Sequence, residues 1–364
     1  LAQFAKTRHR AKLPVKVCQH AIAHLFMTTL ATGHIDIPKS WETVTRKIIQ
    51  EQYRKVLILG ASDRGKSVYC NYLANQISMT GSTVAFVDAD VGQKDVGLPA
   101  TISLALIKPE QHLTQAKIKA SYFVGAVSPA RHFLSMVIGT RKMVDEAQTD
   151  FTIIDTTGMV HGSGRALKGF QIESLQPDVI VTLEIDDELD AIVNAFRNFT
   201  FLRLKSSRYA TKKSSRARKR ARENMYKAYF ANAHEFTLEI SRLQFQRLPL
   251  FSGKLYDDPR FVYAEHYPDG TTAVVKDKHS QKYPGIYAIP FGFEHLLLCG
   301  LADRQNLCRG LSIVKRIDYQ NRTITLLTPV AKRLIKIVQF GDMYVSTEGK
   351  EIRHGLMTNR KDMI

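Results

Sequence analysis

At 364 residues, 44% of them hydrophobic, the chain is long enough to bury a full core and to hold two domains. No run of about 18 apolar residues occurs, so neither a membrane span nor a membrane partner is expected. The formal net charge of +18 is the compositional anomaly, and its uneven distribution points to a polyanionic partner rather than to general solubility.

Residues 1–40 carry no clear fold signal. The first twenty contain Lys6, Arg8, Arg10, Lys12 and Lys16 and no acid, a superficial likeness to a transit peptide. The apolar segment Ala21–Ala31 is interrupted by His24 and threonines and does not read as a signal core. The chain begins with Leu, which leaves truncation or processing open. Cys18, Cys70, Cys299 and Cys308 form no C-x-x-C pair and lack histidines at zinc spacing. They read as reduced thiols of a cytoplasmic, intracellular nucleotide enzyme.

The first strong signal is the strand-like run Lys55–Leu59 followed by Gly60-Ala61-Ser62-Asp63-Arg64-Gly65-Lys66-Ser67 and a helical segment, Val68–Met79. This is G-x-x-x-x-G-K-S in its required strand-to-helix context. The glycines let backbone N–H groups turn inward around a phosphate chain. Lys66 is suited to the β- and γ-phosphate oxygens of a nucleoside triphosphate, and the Ser67 hydroxyl to Mg²⁺. The helix N-terminus adds partial positive charge.

A second strand, Val84–Val87, runs into Asp88-Ala89-Asp90-Val91-Gly92-Gln93. Carboxylates at a strand tip can hold a metal or accept a proton from an attacking hydroxyl. If the strand persists, Asp88 and Asp90 share a face. Both are candidate metal ligands; Asp90 is the stronger candidate base, Asp88 its competitor, and Gln93 can hold a water or hydroxyl. A solvated turn would favour the same residues.

Strand signals continue at Tyr122–Val127, Phe151–Ile154 and Val179–Leu183, with helices over Arg131–Ala147 and Leu189–Phe196. Near-continuous apolar runs suit a parallel sheet covered on both faces, with ligands at the strands' C-terminal ends. After Phe151–Ile154 come Asp155, Thr156, Thr157, Gly158 and Met159; the hydroxyls and glycine can face a γ-phosphate, and Asp155 could join the metal shell. The loop His161-Gly162-Ser163-Gly164-Arg165 follows, while His132 and His161 read as structural or solvated.

Between Arg203 and Arg222 lie ten Lys/Arg and no acid. A helix is expected over Arg216–Phe230, on which Arg218 and Arg222, four apart, share a face and could close over phosphates as arginine fingers. Lys205, Arg208, Lys212 and Lys213 are better placed to follow a nucleic-acid backbone, unless the block is only a solvated charge run. From Phe236 onward, short runs such as Thr271–Val275, Gly285–Ile289, Leu311–Ile317, Arg322–Leu327 and Ile335–Phe340 alternate with turn residues, and Asp318 and Asn321 mark a hairpin. The expected organisation is an uncertain segment 1–40, a kinase-like unit 41–234 with a basic lid at 203–230, and a β-rich unit 235–364. The fold class is a P-loop NTPase α/β fold, with a mostly parallel sheet flanked by helices, plus a C-terminal, mostly antiparallel β domain. N-K-x-D is missing, so guanine selectivity is not supported.

The ordered motifs G-A-S-D-R-G-K-S, V-D-A-D-V-G-Q-x-x-x-x-L-P, S-P-A-R-H-F, D-T-T-G-M-V-H-G-S-G and R-K-R-A-R-E-x-x-x-x-x-Y-F resemble the polynucleotide 5′-hydroxyl kinases. That family includes the kinase of pre-mRNA cleavage and tRNA splicing and the nucleolar kinase of ribosomal-RNA processing. The similarity spans Arg54 to Phe230 and, more faintly, the β-rich remainder. It implies ATP- and Mg²⁺-dependent phosphorylation of the free 5′-hydroxyl of single-stranded RNA, with DNA also a candidate, and RNA-processing proteins as candidate partners. By this resemblance Lys66 and Ser67 fall on the nucleotide loop, Asp90 and Gln93 on the hydroxyl- and metal-handling pair, Thr156, Thr157 and Gly158 on the clasp, and Arg218 and Arg222 on the lid. Met159 departs from it, standing where eukaryotic members carry a base-stacking Trp; methionine stacks less well. Residues 1–50 are too short for the eukaryotic N-terminal β domain, so a compact prokaryotic form is expected.

Two other readings use the same residues: an ATP-liganded scaffold or RNA-binding subunit with little turnover, and a kinase or ligase of a small metabolite. The set Lys66, Asp90, Arg218 and Arg222 is more than a scaffold needs, and the basic block is more than a small substrate needs.

Overall fold

Strands that are apolar at nearly every position must be covered on both faces, and those around the phosphate loop are. The computed structural model describes residues 37–207, 212–276 and 283–352. The basic first twenty residues, Cys18, the Ala21–Ala31 segment and Arg208 lie outside the described residues. Seven strands, β1 (Lys55–Leu59), β2 (Val84–Ala89), β3 (Thr101–Ile107), β4 (Lys117–Phe123), β5 (Phe151–Thr156), β6 (Val179–Glu184) and β7 (Phe201–Lys205), form one sheet. Its order is β4-β3-β2-β5-β1-β6-β7, parallel from β2 to β7, with β3 and β4 antiparallel at one edge.

Alternate strand residues feed two cores. Val56, Ile58, Phe86, Ile153 and Val181 pack under α1 (Lys39–Gln50) and α2 (Lys66–Ser78). Leu57, Leu59, Val87, Ile154 and Ile180 pack under α3 (Phe133–Asp145), α4 (Ser163–Leu175) and α5 (Asp190–Ala195). Register sets the site: Ile58 pairs with Asp155 across β1 and β5, and Asp88 with Asp155 across β2 and β5. The three loops that follow these strands therefore open at one edge of the sheet.

The expected strand Tyr122–Val127 is corrected: β4 ends at Phe123, because Gly125, at φ +92°, turns the chain away from the sheet. Thr101–Ile107, which has no counterpart among the expected strands, pairs antiparallel with β2 as β3.

Beyond the sheet, α6 (Ser215–Phe230) starts at Ser214, whose hydroxyl accepts the Ala217 N–H at 3.1 Å. The remaining strands are β8 (His234–Glu239), β9 (Gln244–Gln246), β10 (Lys254–Leu255), β11 (Tyr263–Tyr267), β12 (Gly270–Val275), β13 (Ile286–Pro290), β14 (Leu297–Ala302), β15 (Cys308–Asp318), β16 (Thr323–Thr328), β17 (Ile337–Val345) and β18 (Glu351–Ile352). They build a sheet of order β18-β17-β14-β15-β16-β8 and a smaller one of order β10-β11-β12-β13. Pairing is antiparallel except for β12 with β13 and β9 with β17. Asp318 accepts the Asn321 N–H at the expected β15–β16 turn. A shared cluster of Phe123, Tyr226, Tyr229, Leu298 and Ile313 joins the first sheet, α6 and the C-terminal sheet. No helix among the described residues is long and apolar enough to cross a membrane.

The chain's single tryptophan, Trp41, is 1% exposed and meets Tyr69 edge-on, ring centroids 5.1 Å apart. This contact fastens α1 to the helix that begins in the phosphate loop. Trp41→Ala is expected to lower unfolding free energy by about 3–5 kcal/mol, read by urea unfolding; a loss below about 1 kcal/mol would mean α1 is only loosely attached.

Candidate active site

The phosphate loop follows β1, and Gly65, at φ +84°, is the left-handed residue from which α2 departs. Lys66 is 7% exposed and its Nζ donates to the Ala61 carbonyl at 3.0 Å, folding the side chain back over the loop. The Ser67 hydroxyl donates to Asp155 Oδ2 at 3.0 Å. Asp155 Oδ1 is buried and has no hydrogen-bond partner among the described residues. Burial pushes the Asp155 carboxyl up to about 7, with Lys66 pulling down and Asp88, Asp95 and Asp90 pushing up. A serine hydroxyl beside a carboxylate with an unspent oxygen fits a divalent cation, which would supply the missing partner and favour the ionised form.

The other loop variables are anchored outside the loop. Asp63, at φ +61°, accepts from the Arg218 guanidinium at 2.5 Å and from the Lys213 N–H at 3.3 Å. Arg64 forms a bidentate pair with Glu188 at 2.8 and 2.9 Å. Gly158 presses on the loop: a Cβ there would lie 2.3 Å from Ser62 N. Glycine is required by this close approach.

Asp88, inside β2, and Asp90, just beyond it, do not share a face, because the strand ends at Ala89. Asp88 turns inward. Its Oδ1 takes the Lys94 ammonium at 2.9 Å and the Asp90 N–H at 3.1 Å; its Oδ2 takes the Asp95 and Val96 N–H groups at 2.9 and 3.0 Å. Burial raises its carboxyl to about 6, against the pull of Lys94. Both oxygens are committed, which corrects its assignment as a metal ligand and competing base. Asp90 is half-buried; its Oδ1 accepts from Gly92 and Gln93 N–H, holding the turn.

In the third loop, Thr156 also departs from expectation: its hydroxyl donates to the Ile58 carbonyl at 2.9 Å and ties β5 to β1 instead of facing a phosphate. Thr157 Oγ1 accepts from Lys168 Nζ at 3.2 Å. Half-buried Met159 lies over Gly164, His161 is exposed, and His132 pairs with Asp342 at 3.2 Å.

The basic helix brings its arginines to this edge. Arg218 reaches Asp63 of the first loop, and Arg222 donates to the Gly92 carbonyl of the second at 3.4 Å while pairing with Glu351 of β18 at 2.5 and 2.9 Å. A groove of about 430 Å³ opens between α6 and β17–β18, lined by Arg216, Lys219, Arg222, Tyr344 and Glu351 among others. Lys205, Lys212 and Lys213 are exposed, whereas Arg203 is spent on Glu184 and Asp190.

Lys94, Lys168 and Glu351 belong to none of the candidate site residues that the sequence offers. Lys168 had a usable signal: it falls with Gln171, Ile172 and Leu175 on the buried face of α4, where a lysine is anomalous. Lys94 and Glu351 had none, since their importance comes from partners distant in space or across a turn.

The family model described as "mRNA cleavage and polyadenylation factor CLP1 P-loop" matches residues 60–232. A polyribonucleotide 5′-hydroxyl-kinase of Pyrococcus furiosus is 33% identical over 346 residues, covering 87% of this chain and 95% of that protein. One from Methanocaldococcus jannaschii is 34% identical over 321 residues, covering 82% and 89%. The solved wild-type Clp1p–Pcf11p (454–563) complex matches with a TM-score of 0.56 at 12% identity, over 84% of this chain and 79% of that one, a likeness of fold. The fold is thus P-loop NTPase-like with a C-terminal, mostly antiparallel sheet.

Asp155 permits a sign-definite test. Its folded pKa, about 7, exceeds the ordinary 3.8, so the fold favours the neutral acid, and stability falls as pH rises from 3.8 through about 7. Asp155→Asn is expected to be more stable than wild type at about pH 8, with an advantage that shrinks towards about pH 5. Urea unfolding without metal or nucleotide measures this; a pH-independent difference would contradict the assignment.

Proposed function

The chain belongs to the polyribonucleotide 5′-hydroxyl-kinase family, and we propose that it transfers the γ-phosphoryl group of ATP to the 5′-hydroxyl of RNA, with DNA ends as a second acceptor. The observation that carries this reading is one helix face spanning both catalytic loops: Arg218 at Asp63 of the phosphate loop, and Arg222 at Gly92 beside Asp90.

In this reading residues 60–67 cradle the triphosphate, Lys66 turning from the Ala61 carbonyl to the phosphate oxygens. Ser67 and Asp155, in place of Asp88, would hold Mg²⁺, which would supply neutralisation of phosphate charge. Asp90 aligns the 5′-hydroxyl and accepts its proton as the oxygen attacks phosphorus and the β–γ bridging bond breaks, releasing ADP. Gln93 adjoins Asp90 and orients the same hydroxyl. Gly158 presses the clasp onto the loop, and Arg218 and Arg222 stabilise the charge of the transferring group. The RNA end enters along the groove, its backbone following Arg216 and Lys219. Residues 41–234, with the lid at 203–230, act as the kinase unit, and 235–364 as a β-rich unit against it.

The direct test is transfer of labelled γ-phosphate to 5′-hydroxyl oligoribonucleotides and oligodeoxyribonucleotides with Mg²⁺. Wild type is expected to label the 5′ end and Lys66→Ala to lose activity; an unlabelled end across a range of salt rejects the reading and favours a nucleotide-bound scaffold. Asp90→Asn should lower kcat by about 10²–10⁴-fold. Arg222→Ala should lower kcat at least about tenfold while ATP affinity changes less than about threefold; equal losses would remove the lid role. For RNA binding, Arg216→Ala and Lys219→Ala should each reduce the slope of log affinity against log salt by about 1. An unchanged slope would move the RNA path out of the groove.

A further inference from the structure

Three lysines near the phosphate loop are buried, and only Lys94 has a carboxylate for its charge. Lys66 is 7% exposed and belongs to the phosphate motif; Lys94, 6% exposed, is neutralised by Asp88. Lys168 is 0% exposed, and its hydrogen-bond partners among the described residues are neutral: Thr157 Oγ1 at 3.2 Å and Gln171 Oε1 at 3.5 Å. Gln171 in turn donates to Thr140 Oγ1 on α3 at 3.4 Å, so the lysine is fixed from behind by a buried polar chain. A buried ammonium without a carboxylate is costly, and hydrophobic replacement at such a site is ordinarily neutral or stabilising.

The direction of the hydrogen bonds says what Lys168 is for. An ammonium only donates, so Thr157 Oγ1 must accept. The Thr157 proton is then left to donate, and no acceptor for it is found among the described residues. Thr157 is 4% exposed and immediately precedes Gly158, the residue pressed against Ser62 of the phosphate loop. Lys66, Asp90 and Asp155 act on Lys168 electrostatically, placing its charge in the field of the catalytic loops.

We propose that Lys168 is a positioning residue for phosphoryl transfer: it polarises the Thr157 hydroxyl into a donor for the transferring phosphoryl group, whose negative charge completes the lysine's environment. A donor chain of this kind strengthens along its length in a low-dielectric site. Burial draws the ammonium down to about 7, Lys66 lowers it further and Asp90 and Asp155 raise it, so negative charge arriving with the transferring group favours the donating, charged form. The inference rests on the kinase reading above for its reaction and on Lys168, Thr157 and Gln171 for its geometry.

The test uses Lys168→Met, close in shape and uncharged, with Thr157→Val and the double variant. Lys168→Met is expected to melt at or above the wild-type temperature yet lose about 10²-fold in kcat, with KM for ATP changed less than about threefold. Thr157→Val should reproduce the loss, and the double variant should be no slower than the slower single one. A second readout does not need turnover: thermal stabilisation by ADP with Mg²⁺ and aluminium fluoride, a mimic of the transferring group, against ADP with Mg²⁺ alone. The variants should keep the second shift and lose most of the increment that fluoride adds. Wild-type kcat in Lys168→Met, effects that multiply in the double variant, or an intact fluoride increment would each overturn the proposal. If Lys168→Met does not fold, Thr157→Val carries both readouts. Should wild type transfer no phosphate, the kinase reading fails by itself, and the fluoride increment still decides the role of Lys168.

Discussion

The hydrogen bond from the Ser67 hydroxyl to Asp155 is the joint on which the site depends. It connects the first turn of α2 to the end of β5, two elements 88 residues apart in sequence, and it exists because β1 and β5 run parallel in the register Ile58 to Asp155. The same register sets the loop after β2 alongside. A one-residue slip in any of these strands would exchange residues between the two cores and scatter the three loops, and burial of both faces makes such a slip very unfavourable. Precision at the tips is therefore inherited from hydrophobic packing in the middle of the sheet.

Around that joint, charge is handled in two ways. Some groups are closed off by a fixed partner: Asp88 with Lys94, Arg64 with Glu188, Arg203 with Glu184. Others are left incomplete, namely the second oxygen of Asp155 and the ammonium of Lys168. The closed pairs lend rigidity to the loops that carry them. The incomplete ones are unfavourable in isolation, and in the proposed reaction a divalent cation and a phosphate chain would complete them. Such a division suits a site that must distinguish its ligands by charge.

Much of this was legible in the sequence, for definite reasons. The phosphate loop needs particular residues at fixed spacing, and the core strands are apolar runs, so both could be read locally. Asp155 was weighed beside the stronger-looking V-D-A-D motif, yet the partner of Ser67 is chosen by strand order, which adjacency in sequence does not reveal. Asp88 illustrates the same limit, since its oxygens are consumed by Lys94 and by backbone groups that fold back across a turn. The end of β4 was misplaced because Val124–Val127 is apolar enough for a strand, while Gly125 decides otherwise through its backbone angle. Helical spacing brings out the arginines of α6, but their partners, Asp63 and Glu351, lie 155 and 129 residues away in the chain.

Glu351 sits on the last described strand, and its pairing with Arg222 ties the far end of the polypeptide to the helix above the phosphate loop. Linkage is reciprocal. Whatever draws the guanidinium towards a bound nucleotide loosens β18 by the same free energy, and whatever grips β18 restrains the guanidinium equally. Strand β18 is in this sense a handle on the helix that carries Arg222, although no atom of it need ever meet a phosphate.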